Sequence, residues 1–252
     1  MTWVLDLDGV LWLSERPIAG AAEAVVRLRA AGQRVEFVTN NSSATVADQE
    51  SKLAAMGIDA EGAVVTSAMA AAAMLEAGSS VLVCGGAGVV EALSSRGVQL
   101  VAGDGDAAVD AVVVGFNRQF DYEALRWAAG AVLGGARLIG TNDDATYPTP
   151  SGPIPGGGSI LAAVAYAAGV DPEVAGKPFA PMTDLVRARV GSEGLVVVGD
   201  RASTDGRFAR ALGARFALVL SGVTTAEDLP VEPEPDVVAR DLAALVRAEL
   251  AR

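Results

Sequence analysis

The 252-residue sequence contains no histidine, and that absence removes whole chemistries. Ser-His-Asp hydrolysis, His-ligated zinc and phosphohistidine transfer each need the missing imidazole. A catalyst built from this chain is confined to carboxylates, hydroxyls, lysine or a metal held by oxygen. There is one cysteine, Cys84, so no internal disulfide can form, which fits a reducing compartment. No apolar run approaches the roughly 18 residues of a membrane span. No basic segment followed by an apolar stretch opens the sequence as a secretory signal would, so a cytoplasmic location is expected. Positive charge is also short: 19 Lys and Arg face 31 Asp and Glu, for a net charge of -12. A sequence-independent nucleic-acid binder needs a basic face to replace counterions, and an anionic membrane surface would repel this chain. If the ligand is an anion, the negative field must be offset locally by a cation or by aimed backbone dipoles.

What is present is apolar and periodic. Hydrophobic residues make up 51% of the chain, enough for a large core and against disorder. Trp3 to Leu5, Arg34 to Val38, Ala63 to Val65, Ser80 to Val83, Ala111 to Val114, Arg137 to Ile139, Leu195 to Val198 and Phe216 to Leu220 read as buried strands. Between them lie amphipathic stretches such as Gly20 to Ala31, Thr45 to Met56, Tyr122 to Leu133 and Ser159 to Ala168. This alternation predicts an α/β protein with parallel sheets covered on both faces. Gly78-Ser79-Ser80 and the stretch Gly169 to Glu173, with Asp171-Pro172 as a breaker, mark domain junctions. The expected division is a discontinuous core, residues 1–78 and 175–252, with residues 79–174 inserted. No internal repeat is evident. Pro230 to Pro235 reads as a surface loop. Pro155-Gly156-Gly157-Gly158-Ser159 stands directly before a helical pattern and reads as a phosphate- or substrate-facing helix start.

The chemistry collects just past the apolar runs. The first run is followed by Asp6-Leu7-Asp8-Gly9, where strand alternation would turn Asp6 and Asp8 to the same side. Two close carboxylates repel unless a cation joins them, and Gly9 permits a sharp turn. Thr39-Asn40-Asn41-Ser42 follows a second run, and Gly199-Asp200-Arg201, with Asp205, follows a third. In open parallel sheets ligands bind at that edge. Asp6, Asp8 and Asp200 together offer an oxygen-only site suited to magnesium. Thr39 and Asn40 could hydrogen-bond phosphate oxygens, and Lys177 could balance their charge. Each feature has a plainer reading: a solvated strand end, a helix N-cap or turn, a surface lysine.

Taken in this order, the residues resemble the haloacid dehalogenase superfamily of phosphohydrolases. Asp6-Leu7-Asp8-Gly9-Val10-Leu11-Trp12 is similar to that family's first motif, Thr39 to the second, Lys177 to the third, and Gly199-Asp200 with Asp205 to the fourth. Val38 to Ser42, Gly140-Thr141-Asn142, Pro155 to Ser159 and Ala175-Gly176-Lys177-Pro178 resemble its branch of 4-nitrophenylphosphatase-like, sugar-phosphate and pyridoxal-phosphate phosphatases. That branch often has leucine and a hydrophobic residue where Ala202 and Gly206 stand here.

The resemblance implies a Rossmann-like doubly wound core with an inserted α/β cap of the larger, C2 type. It implies that Asp6 attacks phosphorus to form an aspartyl-phosphate, and that Asp8 is general acid and then base. Mg2+ would be held by the carboxylates of Asp6 and Asp200 and the backbone carbonyl of Asp8, with Asp205 supporting the metal shell. Thr39, Asn40 and Lys177 would steady the transferring phosphoryl group. Cap residues Asn142, Asp144, Gly157 and Ser159 would meet the substrate's organic part. The expected partner is a small phosphorylated metabolite of the sugar phosphate, glycerol phosphate, phosphoglycolate or pyridoxal phosphate type, and a homodimer is compatible with the sequence.

Three other readings compete. A receiver-like phosphate-binding switch uses similar residues, but it is shorter and carries its phosphoacceptor after a later strand. A nicotinamide-dinucleotide-binding oxidoreductase is suggested by Val81 to Gly88, a strand and a Gly-rich turn, but Glu91 stands where the G-x-G-x-x-G fingerprint needs a small residue. A catalytically retired binding protein would keep the same motifs. Cys84 is no C-x₅-R nucleophile, because Val90 occupies the arginine position.

Overall fold

The computed structural model describes residues 1–14, 16–102, 108–147 and 152–251. The chain forms two compact units: residues 1–39, 47–65 and 183–252 in the first, and residues 40–46 and 66–182 in the second. The second unit contains the whole of the expected 79–174 insert. It also takes in 40–46, 66–78 and 175–182.

The first unit is built on a six-stranded sheet. Its strands run in the order Val237–Ala239, Arg215–Val219, Leu195–Gly199, Thr2–Leu5, Arg34–Thr39, Val64–Thr66. Numbered along the chain, that is the doubly wound order 3-2-1-4-5-6. Thr2–Leu5 lies in parallel register between its neighbours, with Leu5 opposite both Val198 and Phe37. Leu195–Gly199 is buried at every position, which is why it reads as a continuous apolar run and not as an alternating one. The order reverses between Thr2–Leu5 and Leu195–Gly199, so the ends of these two strands frame the crevice where such sheets bind ligands. Helices Ala21–Ala30 and Leu242–Leu250 pack against each other, and Trp3, Phe37, Phe208 and Phe216 lie fully inside this unit.

The second unit has a five-stranded sheet in the order Glu173–Val174, Arg137–Gly140, Ala111–Val114, Ser80–Cys84, Gln99–Val101, with every pairing parallel. Helices Tyr122–Leu133 and Gly157–Ala168 pack together against it, closing a core that includes Val112, Val114, Ala128, Leu138, Leu161 and Val164. Asp121 caps the first of these helices by accepting the Ala124 amide at 2.9 Å.

The eight expected strands coincide with observed ones to within a residue or so at their ends, because buried parallel strands are marked by apolar runs alone. The two-residue strands Trp12–Leu13 with Arg16–Pro17, and Thr146–Tyr147 with Ile154–Pro155, carry no periodicity and were not expected. Pro230 to Pro235 forms a surface loop. Among the described residues no helix is long and apolar enough to cross a membrane.

Candidate active site

In the first unit, carboxylate oxygens of Asp6, Asp200 and Asp205 lie within 4.8 Å of one another. Asp6 follows the strand Thr2–Leu5 directly and donates its amide to Val198 O at 2.9 Å. Asp200 follows Leu195–Gly199, and Asp205 lies in a single wide helical turn, Ala202–Gly206. Asp200 and Asp205 are buried, and Asp6 is half-buried.

Backbone amides and glycines fix this cluster. Val223 donates its N–H to Asp200 Oδ2 at 2.6 Å, and Arg201 donates its N–H to Asp205 Oδ2 at 3.2 Å. A methyl group at Gly9 would stand 2.3 Å from Asp200 Oδ2, and one at Gly222 only 2.0 Å from it. One at Gly199 would stand 2.2 Å from the Asp205 Cβ. Gly9 also has φ +80°, so it is held to glycine by conformation as well as by space. Ser221 Oγ donates to Gly9 O at 2.7 Å and ties the Asp8-Gly9 turn to the loop after Arg215–Val219. The departure at Gly206 has a local cause: an added Cβ would meet Phe216 and Pro233 at 2.9 Å.

Three carboxylates this close repel by about 4 kcal/mol per pair at 4 Å and an effective dielectric of 20. A divalent cation reverses that sign. The spacing of the three carboxylates is within reach of one divalent cation held by oxygen ligands.

Asp8 lies outside the cluster. The strand ends at Leu5, so the alternation expected to align Asp8 with Asp6 stops short of it. Instead the amides of Val10, Leu11 and Trp12 all turn back onto Leu7 O, and Gly9 N–H donates to Trp12 O at 2.7 Å. This tight loop brings the Trp12 indole N–H to Asp8 Oδ1 at 3.1 Å. Lys52, on helix Val46–Ala55, sets its Nζ 4.1 Å from the Trp12 ring centroid and donates to Ser14 O at 3.0 Å. Thr39 closes the strand Arg34–Thr39 and is buried.

In the second unit a hydrogen-bond clamp surrounds Asn40. Its side chain accepts the Lys177 N–H at 2.8 Å and donates to Lys177 O at 3.1 Å and to Asp144 Oδ2 at 3.2 Å. Its carbonyl accepts from Asn142 Nδ2 and from Ser67 Oγ, each at 2.8 Å. Gly176 leaves the room this needs: a Cβ there would lie 2.6 Å from Asn40 Oδ1. Asn142 and Lys177 are both buried. The structure thus brings Asn40, Asn142, Asp144 and Lys177 together, with Ser42 and Thr141 joined beside them by a 2.8 Å hydroxyl contact.

Packing within this unit accounts for the glycine-rich stretches. A Cβ at Gly156 would stand 2.4 Å from Asp144 O, one at Gly158 2.3 Å from Asp143 O, and one at Gly157 3.1 Å from Asn142 Oδ1. The Gly158 N–H donates to Asp144 O at 3.0 Å, and Ser159 Oγ donates to Ala145 O at 2.7 Å. The helix start therefore holds the 142–146 loop that carries Asn142 and Asp144. The turn at Gly86 and Gly88 likewise packs on the backbone of Ser43 and Ala44, and Glu91 accepts the Val46 N–H at 2.7 Å.

Sequence reasoning passed over Trp12 as a partner of Asp8, Lys52, and the Ser221-Gly222 pair. Ser221-Gly222 stands just past the strand Arg215–Val219, and the strand-end rule that found Asp200 applies there equally.

The haloacid dehalogenase-like hydrolase family matches residues 3–99, and a second HAD-hydrolase-like family matches residues 174–245. The chain is 38% identical over 251 residues to D-glycerol 3-phosphate phosphatase of Mycobacterium tuberculosis, covering 96% of this chain and 70% of that one. It is 35% identical over 244 residues to an acid sugar phosphatase of Staphylococcus saprophyticus, covering 92% and 91%. Among solved structures, p-nitrophenyl phosphatase from Archaeoglobus fulgidus superposes with a TM-score of 0.91 at 32% identity, covering 98% of each chain. The M. tuberculosis glycerol phosphate phosphatase in complex with magnesium superposes at 0.89 and 35% identity, covering 97% of this chain and 75% of that one.

Proposed function

This chain belongs to the haloacid dehalogenase-like hydrolases and is a phosphoric monoester hydrolase, and from that premise we propose that it cleaves small phosphate esters through an aspartyl-phosphate on Asp6. The observation that carries the reading is the Asp6, Asp200 and Asp205 cluster at the reversal point of a doubly wound sheet. The residues fit Mg2+, with the Asp6 and Asp200 carboxylates and the Asp8 carbonyl as ligands and Asp205 in support. When bound, the ion neutralises these carboxylates and the charge on the phosphoryl oxygens. A relative solved with magnesium supports the choice of ion.

An Asp6 carboxylate oxygen attacks phosphorus in line with the leaving oxygen, and the bond to that oxygen breaks. The Asp8 carboxyl gives its proton to the departing alkoxide. Asp8, now a carboxylate, takes a proton from water as that water attacks phosphorus, releasing inorganic phosphate and restoring Asp6. The hydroxyl of Thr39 and the ammonium of Lys177 hold the phosphoryl oxygens, and Asn40 fixes the backbone at Lys177.

The second unit acts as the cap and sets substrate choice through its 142–146 loop, where Asp144 stands beside Asn40. Glycerol phosphate, sugar phosphates and phosphoglycolate, the substrates in the relatives' names, are the first class to assay.

The test is Asp6→Asn, nearly isosteric and unable to attack. Turnover of any ester found in a phosphate-release screen should fall by more than about a hundredfold, roughly 2.7 kcal/mol of barrier, with the fold unchanged by circular dichroism. Retention of more than a hundredth of wild-type turnover would falsify the nucleophile assignment.

A further inference from the structure

We infer that Trp12 is a positioning residue for Asp8 and that Lys52 holds Trp12 in place, so that the three form a relay orienting the acid that protonates the leaving group. The inference rests on Asp8 being that acid. Its first support is geometric. The indole N–H donates to Asp8 Oδ1 at 3.1 Å across a four-residue loop whose backbone is also closed, by Gly9 N–H on Trp12 O at 2.7 Å. With one oxygen held by a rigid ring, the carboxyl cannot rotate without losing that bond. Trp12 is 2% exposed, and the Lys52 ammonium lies on its ring face, 4.1 Å from the centroid, while bonding Ser14 O at 3.0 Å. The ring is thus fixed at its edge by Asp8 and on its face by a cation.

The second support is that burial alone does not force an indole partner in this chain. Trp3 is fully buried, and its Nε1 has no hydrogen-bond partner among the described residues. The third is composition. Only Lys52 and Lys177 are lysines among the 19 basic residues, the other 17 being arginines. A lysine at Lys52 against that bias fits a compact ammonium that must reach a ring face and the Ser14 carbonyl together.

The relay should matter in proportion to how badly the leaving group needs a proton. An alkoxide needs one, whereas 4-nitrophenolate leaves without help. The ratio of kcat/KM values reads this step, because kcat/KM covers only events up to departure of the first product. Trp12→Phe keeps a ring face for Lys52 and removes the N–H. It should lower kcat/KM on glycerol 3-phosphate about tenfold and on 4-nitrophenyl phosphate less than twofold. Lys52→Met, at a half-buried helical position, should shift the same ratio in the same direction by about threefold, and it covers the case in which Trp12→Phe misfolds. Equal losses on both esters, or no loss on either, would overturn the relay and leave Trp12 as packing. Asp8→Asn separates the two readings. If it is leaving-group selective and both relay variants are not, only the relay fails. If Asp8→Asn shows no selectivity, the acid role and the relay fail together.

Discussion

Gly222→Ala adds a single methyl group and aims it at the metal cluster. The new Cβ would lie 2.0 Å from Asp200 Oδ2. Reaching the roughly 3.3 Å of a close carbon–oxygen contact requires about 1.3 Å of separation. Gly222 lies outside the left-handed region, so the substitution adds contact without the backbone strain that Gly9→Ala would also bring. Asp200 Cγ and Cβ would also stand 2.5 and 2.7 Å from the new methyl, so turning the carboxylate does not relieve the contact, and Asp200 as a whole must separate from a loop tied by Ser221 Oγ on Gly9 O and Thr224 N–H on Asp200 O. As it separates, its carboxylate gives up the 2.6 Å bond from Val223 N–H and its place in the cluster. Magnesium demands ligands near 2.1 Å and tolerates little displacement, and disturbing a ligand's support costs about 10–100-fold in affinity. The Mg2+ Kd, measured by calorimetry on metal-stripped protein, should therefore rise about 10–100-fold, or roughly 1.4–2.7 kcal/mol. Gly130→Ala is the control. It sits on helix Tyr122–Leu133 with nothing within 4 Å of the added Cβ, and its Mg2+ affinity should match wild type. A Gly222→Ala protein that is folded and binds Mg2+ within twofold of wild type would show that the loop gives way and that the glycine does not position the ligand.

Two further outcomes are expected. Protein treated with EDTA should lose turnover and recover it with Mg2+, while Ca2+, which prefers more ligands and looser geometry, should restore less than about a tenth; full turnover in metal-free protein would sink the metal assignment. Asp236 offers a test in pH. The Phe216 N–H bond, against opposing burial and with help from Arg210, holds its carboxyl below the ordinary range. A lowered carboxyl pKa contributes stability above the unfolded value, near 3.9, and that contribution fades as pH falls through the folded value. The stability gap between wild type and Asp236→Asn, from urea denaturation, should be widest near pH 7 and narrow below about pH 4. A gap that widens in acid contradicts the sign.

The candidate site residues were legible because the sheet announces itself. Leu195–Gly199 and Ala111–Val114 are buried at every position, so their apolar runs fix where each strand stops and which polar residues come next. Asp6, Thr39 and Asp200 were found that way. What the runs do not encode is the path of the chain after the strand. Strand alternation was the ground for pairing Asp8 with Asp6, but the strand ends at Leu5, and Asp8 is set instead by three amides converging on Leu7 O and by the Trp12 indole N–H. Pro155 to Ser159 looked like a helix start facing a ligand. Gly156 and Gly158 lie against the backbone of residues 143–146, and Gly157 lies against the Asn142 side chain, contacts that no local pattern announces. Both cases have one cause. A catalytic carboxylate has a chemical signature that survives in sequence, whereas its placement depends on glycines and backbone amides that have none. Gly199 and Gly222 are no different in sequence from a glycine such as Gly130, which has nothing within 4 Å of an added Cβ. A search by residue chemistry therefore recovers the ligands of such a site and misses its walls. In this fold the walls decide whether Asp6, Asp200 and Asp205 converge closely enough to hold one ion.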